Sequence, residues 1–157
     1  MKSVVQRVRN ASVVVDGETV GAIEHGLLVY LGVERGDDVS LLEPMAGKIG
    51  RLRIFTDAQD KMNLSVKDVG GKVLVVSQFT LCADLHKGNR PSWDPAAPPQ
   101  LAEELYERFM VVMRQQGVEV EHGTFGAHMH VAYENDGPVT ILLNSDSIGR
   151  SQPASGK

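Results

Sequence analysis

Two short polar runs hold the side chains best placed to do chemistry in this chain, Ser77-Gln78-Phe79-Thr80-Leu81 and Asn135-Asp136-Gly137-Pro138-Val139-Thr140. The first follows Lys72-Val73-Leu74-Val75-Val76, a β-branched apolar stretch that reads as a strand covered on both faces. A strand that ends in hydroxyls and a carboxamide offers hydrogen-bonding side chains, and backbone N–H groups freed at its end can hold a developing oxyanion. Alternation puts Ser77, Phe79 and Leu81 on one side and Gln78 and Thr80 on the other, whereas a bend at the strand end gathers them into one cleft. The same residues also describe a core strand whose Ser and Thr cap the following loop. The second run is turn punctuation between two strands, and the default for Gly137-Pro138 is trans, since only about 5–6% of X–Pro bonds are cis.

The elements that must position these runs make an α/β chain of mixed, mainly antiparallel sheets with two main helices. Strands are expected at Lys2 to Arg9 and Ser12 to Val15, with a hairpin turn at Asp16-Gly17, a return over Glu18 to Ile23, and a very apolar strand from Gly26 to Val33. Ser40 and Glu43 have capping-box spacing before a helix from Leu41 to about Leu52, although Pro44 falls just past the position where proline is free of cost. Arg53-Ile54-Phe55 then re-enters the sheet. Ala83 to Pro99 reads as a long loop, of the kind that is usually functional. The clearest helix runs from about Pro99 to Gln116, with Leu101, Leu105, Phe109 and Val112 near helical spacing and Gly117 at its end. Strands over Val118 to His122, His128 to Tyr133 and Val139 to Asn144 complete the pattern. Residues 1–150 are expected to form a single domain, and 151–157 a disordered polar tail.

Bulk properties narrow the class. A chain of 157 residues suits one core, and no apolar run approaches the roughly 20 residues needed to span a bilayer. The amino terminus enters a strand pattern with no signal-peptide arrangement, so the cytoplasm is the expected compartment. Cys82 is the only cysteine, which excludes an internal disulfide, a Cys-based zinc site or a redox pair within one chain. A net charge of −4 argues against coating nucleic acid by charge alone, so any RNA contact must be local. Lys87 and Arg90 lie in the loop after the first run, and Lys48, Arg51, Arg53 and Lys61 form a second basic region that reads equally well as a solvated face.

Taken together, the two runs resemble the D-aminoacyl-tRNA deacylases, the D-tyrosyl-tRNA deacylase family, which carry an SQFTL-type motif and an N-x-G-P-V-T motif with a cis Gly-Pro bond. The resemblance extends through Gln6-Arg7-Val8, Ala11-Ser12-Val13-Val14-Val15-Asp16-Gly17, Leu52-Arg53-Ile54-Phe55, Lys87-Gly88-Asn89-Arg90-Pro91-Ser92 and Phe125-Gly126-Ala127-His128-Met129, covering nearly all of Met1 to about Leu143. It implies the deacylase fold as a homodimer, with the Gly137-Pro138 turn of one subunit entering the pocket of the other. The implied reaction is hydrolysis of the ester joining a D-amino acid to the terminal ribose of tRNA, with no cofactor and no metal. The implied partner is the acceptor end of D-aminoacyl-tRNA, with neither DNA nor membrane. In that arrangement the Gly137 and Pro138 carbonyls face the substrate α-ammonium; an L side chain collides with the turn, a D side chain points away, and glycine has nothing to clash, so glycyl esters should pass.

Site roles follow from the same resemblance. Ser77, Gln78, Phe79 and Thr80 are the catalytic candidates, with the Phe79 and Thr80 N–H groups as an oxyanion hole. Thr80 is either a nucleophile or a residue that positions water; because no His or carboxylate pairs with it in the sequence, activated water assisted by the ribose 2′-hydroxyl is preferred. Arg7 braces the turn, Phe125 and Met129 line the pocket, and Lys87 and Arg90 meet the RNA. Three rivals compete with this assignment: a Cys82-His86 hydrolase, a zinc site of His128 and His130 with His122 or Glu134, and a dimeric RNA- or protein-binding module that keeps the fold without the chemistry.

Overall fold

The computed structural model describes residues 1–148, so the expected tail at 151–157 lies outside the described residues. The organising element is β1 (Lys2–Val15), on which three other strands pair. The sequence suggests two strands here, but local register shifts near Val8 let one strand continue through Arg9 and Asn10. On one edge it pairs antiparallel first with β3 (Gly26–Gly32) and then with β2 (Glu18–Ile23). The β1–β2 hairpin turns at Asp16 and Gly17, whose φ values of 50° and 80° are those of the tight turn that matches strand twist. The other edge is taken by β8 (His130–Asn144), again antiparallel.

Beyond β3 the sheet becomes parallel, with β6 (Lys72–Ser77) beside it and β7 (Glu119–His122) next, completing the six strands. Both faces of the central strands are covered, which explains their unbroken apolar runs. Leu27, Val29, Val73 and Val75 face α1 (Leu42–Gly50) and α2 (Pro99–Gln115), where they meet Met45, Ile49, Leu105, Phe109 and Met113. Their alternates Leu28, Leu74 and Val76 point to the opposite face and pack with Val8, Ala11, Val13 and Ile23. Of the expected helix stripe, Leu105 and Phe109 are fully buried, while Leu101 and Val112 only border the core.

Three local expectations are corrected. The capping-box reading of Ser40 and Glu43 fails because Asp38 is the cap: its carboxylate accepts from the Ser40 N–H, starting a short 3₁₀ turn (Val39–Leu41) that feeds α1. Pro44 is tolerated in the first turn of α1 because the first four N–H groups of a helix have no intrahelical acceptor. Arg53-Ile54-Phe55 does not rejoin the main sheet; Phe55 and Thr56 form β4, paired with β5 (Met62–Leu64) in a separate ribbon. Finally, the two carboxy-terminal strands are one, and the Asn-Asp-Gly-Pro run is a bulge within β8. None of the described helices is long and apolar enough to cross a membrane.

The sheet curls until β2 lies against β7, and one glycine permits the approach. A Cβ at Gly21 would sit 2.3 Å from the His122 carbonyl oxygen, a backbone atom that cannot swing aside. Gly21→Ala is therefore expected to cost roughly 1–3 kcal/mol, the usual penalty for forcing extra volume into a packed interior. Urea denaturation measures it, and a midpoint equal to that of the parent chain would show that the seam is looser than described.

Candidate active site

Strand β6 ends in a bend. The Gln78 N–H still donates to Leu31 O at 2.8 Å, extending the pairing with β3, but its backbone then leaves the extended region and Phe79–Cys82 closes into a 3₁₀ turn. The Leu81 and Ala83 N–H groups close that turn onto Gln78 O and Thr80 O, whereas the Phe79 and Thr80 N–H groups have no acceptor among the described residues. A strand-to-turn transition thus delivers two outward main-chain donors. The Thr80 hydroxyl donates to Gln78 Oε1 at 2.6 Å, so it lies beside a carboxamide and not beside a base.

This bend forms one end of a cleft of about 760 Å³. Ser77, Gln78 and Phe79 line it together with Phe125 and Met129, so five of the sequence-predicted residues come together. Volume and a mostly apolar lining with a few polar groups at one end suit a small organic ligand. Thr80 is exposed just outside the lining. Residues that the sequence reading did not single out complete the walls: Tyr30, Tyr106, Trp93 and the Ala96–Pro99 entry to α2. Tyr106 is buried and donates to Val75 O at 2.9 Å, a carbonyl that also accepts from the Gly123 N–H at 3.1 Å. Burial pushes the Tyr106 hydroxyl well above its ordinary range, and burial with Tyr133 nearby pushes Tyr30 up to about 12, so both phenols are neutral at physiological pH. Tyr106 could be read from the sequence only as part of the α2 stripe; nothing marked its outward end as a cleft wall.

The second run lies elsewhere on the chain. Two steps along β1, from Gln6 to Val8, are matched by five along β8, from Thr140 back to Asn135, and the surplus residues loop outward. Gly137 and Pro138 are exposed on this loop and joined by a cis peptide bond; neither lines the cleft of the same chain. Asn135 closes the neck, its Nδ2 donating to Arg7 O at 3.0 Å and Val139 O at 3.1 Å, the carbonyls that interrupted pairing would otherwise leave idle. Gly137 has φ +126°, and a Cβ there would meet Val139 N at 2.7 Å and Arg7 Nη2 at 3.1 Å. Arg7 supports the loop from below: Nη1 donates to Ile54 O at 2.6 Å, and Nε donates to Asp136 O at 3.3 Å and pairs with the Asp136 carboxylate at 3.1 Å.

Lys87 and Arg90 are exposed on a loop closed by reciprocal hydrogen bonds between Asp84 and Ser92, directly before the cleft residue Trp93 in sequence but outside the cleft lining. The Cys82-His86 pairing is not formed. Cys82 is buried with Sγ directed at Val33 O, burial raises its thiol pKa, and His86 is exposed and held by Asp84. His128 and His130 stack edge to face with centroids 5.0 Å apart, but no third Cys, His, Asp or Glu joins them among the described residues.

The brace at Arg7 is testable. With only 11% of its side chain exposed and three polar contacts, Arg7→Ala should cost roughly 1.5–3 kcal/mol by stranding two carbonyls and a carboxylate. Arg7→Lys should recover little, because an ammonium on a flexible stem cannot serve Ile54 and Asp136 at once. Urea denaturation checks this; parent-like stability in Arg7→Ala would contradict the bracing role.

Comparison with known proteins supplies the family. The family model described as D-Tyr-tRNA(Tyr) deacylase matches residues 4–144. A curated protein of Thermotoga petrophila, named D-aminoacyl-tRNA deacylase, is 55% identical over 148 residues, covering 94% of this chain and 99% of its own. Among solved structures, one described as c-Myc DNA Unwinding Element Binding Protein superposes with a TM-score of 0.86 at 44% identity, covering 92% of this chain and 98% of its own. Another, described as a probable eukaryotic D-amino acid tRNA deacylase, shares the fold with a TM-score of 0.76 at 20% identity, covering 90% of this chain and 97% of its own. The motif at the end of β6, the Asn-Asp-Gly-Pro bulge of β8 and a family match spanning nearly all the described residues lead to one conclusion: the chain belongs to the D-Tyr-tRNA(Tyr) deacylase family.

Proposed function

We propose that this protein hydrolyses the ester bond of D-aminoacyl-tRNA, working as a cytoplasmic homodimer in which the Gly137-Pro138 loop of each subunit covers the cleft of the other. The observation that carries the reading is the separation of the two motifs: the Ser77–Phe79 bend ends the cleft, while Gly137 and Pro138 project outward from the far edge of β1. A loop this firmly braced and this exposed is suited to meet something outside its own chain. The outer surface beside it includes Leu142, 80% exposed, and Tyr133, which a second copy would cover.

In this reading the terminal adenosine and its aminoacyl group occupy the cleft. The ester carbonyl lies toward the Phe79 and Thr80 N–H groups, and the α-ammonium lies against the carbonyls of the partner's loop. Water adds to the acyl carbon, the oxyanion is held by the two N–H groups, and collapse breaks the acyl C–O3′ bond while O3′ takes up a proton, assisted by the neighbouring 2′-hydroxyl. Thr80 positions the substrate or water: its proton is donated to a carboxamide oxygen, which is no general base at neutral pH. Selection by hand is steric. An L side chain would enter the loop, a D side chain points away, and glycine carries nothing to exclude.

A second reading, a nucleic-acid-binding module without chemistry, draws on the DNA-element-binding description of the relative that is 44% identical. Single-turnover deacylation of D-tyrosyl-, L-tyrosyl- and glycyl-tRNA, with and without chelator, separates the two. Rapid loss of the D and glycyl esters with the L ester spared is expected in both conditions. Survival of all three, with binding of a duplex DNA, would favour the module. Under the same assay Thr80→Ala should retain most of the single-turnover rate at saturation; a loss of a thousandfold or more with unchanged affinity would point to covalent catalysis through Thr80.

A further inference from the structure

Two large aromatic side chains stand at the mouth of the cleft in contact with solvent, Phe79 at 55% and Trp93 at 42% exposure. Their rings meet edge to face with centroids 5.1 Å apart at 73°, an arrangement that covers only one ring face and leaves the others open. Hydrogen bonds hold the platform in place. The Ala96 N–H donates to Trp93 O at 2.9 Å, the Asp94 N–H donates to Ser92 Oγ at 3.3 Å, the Arg35 N–H donates to Pro95 O at 2.8 Å, and the Arg35 guanidinium reaches Asp94 O. Directly before Trp93, the loop pinned by Asp84 and Ser92 displays Lys87 and Arg90 to solvent. Exposed aromatics beside a basic loop form the combination that binds single-stranded nucleic acid, where bases stack on rings and cations follow the backbone.

We propose that the Phe79–Trp93 pair is a stacking subsite for the unpaired base preceding the terminal nucleotide of the RNA, with Lys87, Arg90 and Arg35 contacting the adjoining phosphates. This inference rests on the deacylase reading for the placement of the terminal adenosine inside the cleft; the stacking itself requires only a single-stranded end. The exposed Asp94 carboxylate opposes backbone approach on one side of Trp93 and favours entry from the side of Lys87 and Arg90.

Trp93 is the only tryptophan, so its fluorescence reports the subsite directly. Titration with the trinucleotide CpCpA should quench it, and adenosine alone should quench it much less. Kinetically, Trp93→Ala should raise the half-saturating concentration of D-tyrosyl-tRNA about ten- to hundredfold more than that of D-tyrosyl-adenosine, which has no preceding base, and Trp93→Phe should recover most of the difference. No quenching by CpCpA, equal quenching by adenosine, or equal losses for the long and short substrates would each overturn the proposal. Should the parent chain hydrolyse neither substrate while CpCpA still quenches Trp93, the deacylase reading fails and the stacking subsite stands.

Discussion

Everything else in this molecule hangs on the double pairing of β1. Most of its 14 residues are paired along both edges, to β3 and β2 on one side and to β8 on the other, so both polar motifs are referred to a single backbone line. A central strand satisfied on both sides can tolerate an interruption, because pairing resumes beyond it and holds the register. The bulge at Asn135–Val139 uses that tolerance: the ladder is intact from Lys2 to Gln6 and again from Asn10 to Val14. Asn135 and the Arg7 side chain then occupy the gap: Asn135 donates to Arg7 O and Val139 O, and Arg7 ties the loop to Ile54 O and Asp136 O.

The cleft and the bulge present opposite chemistries built from similar parts. At the cleft, the Phe79 and Thr80 N–H groups lie where β6 bends; at the bulge, Gly137 and Pro138 are exposed where β8 loops out, and the proposed reading uses their carbonyls as acceptors. The bulge is braced by the ionised Arg7–Asp136 pair, whereas the groups at the cleft end are uncharged. In the proposed reading, the neutral phenols of Tyr30 and Tyr106 and the carboxamide of Gln78 fit a site that acts through dipoles and shape. An aminoacyl ester is reactive enough for orientation and oxyanion stabilisation to suffice in the reading proposed here.

Periodicity made most of the framework legible. The hairpin at Asp16-Gly17, the buried strands Gly26–Gly32 and Lys72–Ser77 and the stripe of α2 all follow from local residue patterns. Parallel pairing of β3 with β6 and of β6 with β7 was not legible, since nothing local distinguishes it from antiparallel pairing. The single strand β8 was misread because Gly137-Pro138 carries every signal of a turn, and only the long edge of β1 makes the chain continue past it. Asp38 won the cap over Ser40 through a 3₁₀ turn that no capping pattern anticipates. In the site, Ser77, Gln78 and Phe79 were visible as polar and aromatic residues at a strand end. Trp93 and Tyr106 reach the same cavity from a loop and a helix that only the tertiary structure brings there.

The crowding at Gly137 also bears on how this surface can change over evolutionary time. Its exposed part is Gly137 and Pro138, and any β-carbon at 137 would run into Val139 and Arg7. Most surfaces drift by trading one side chain for another of slightly different size or polarity. This one has almost no side chain to trade, so mutation can dismantle the loop far more readily than it can retune it, and a lineage that keeps the loop keeps its shape.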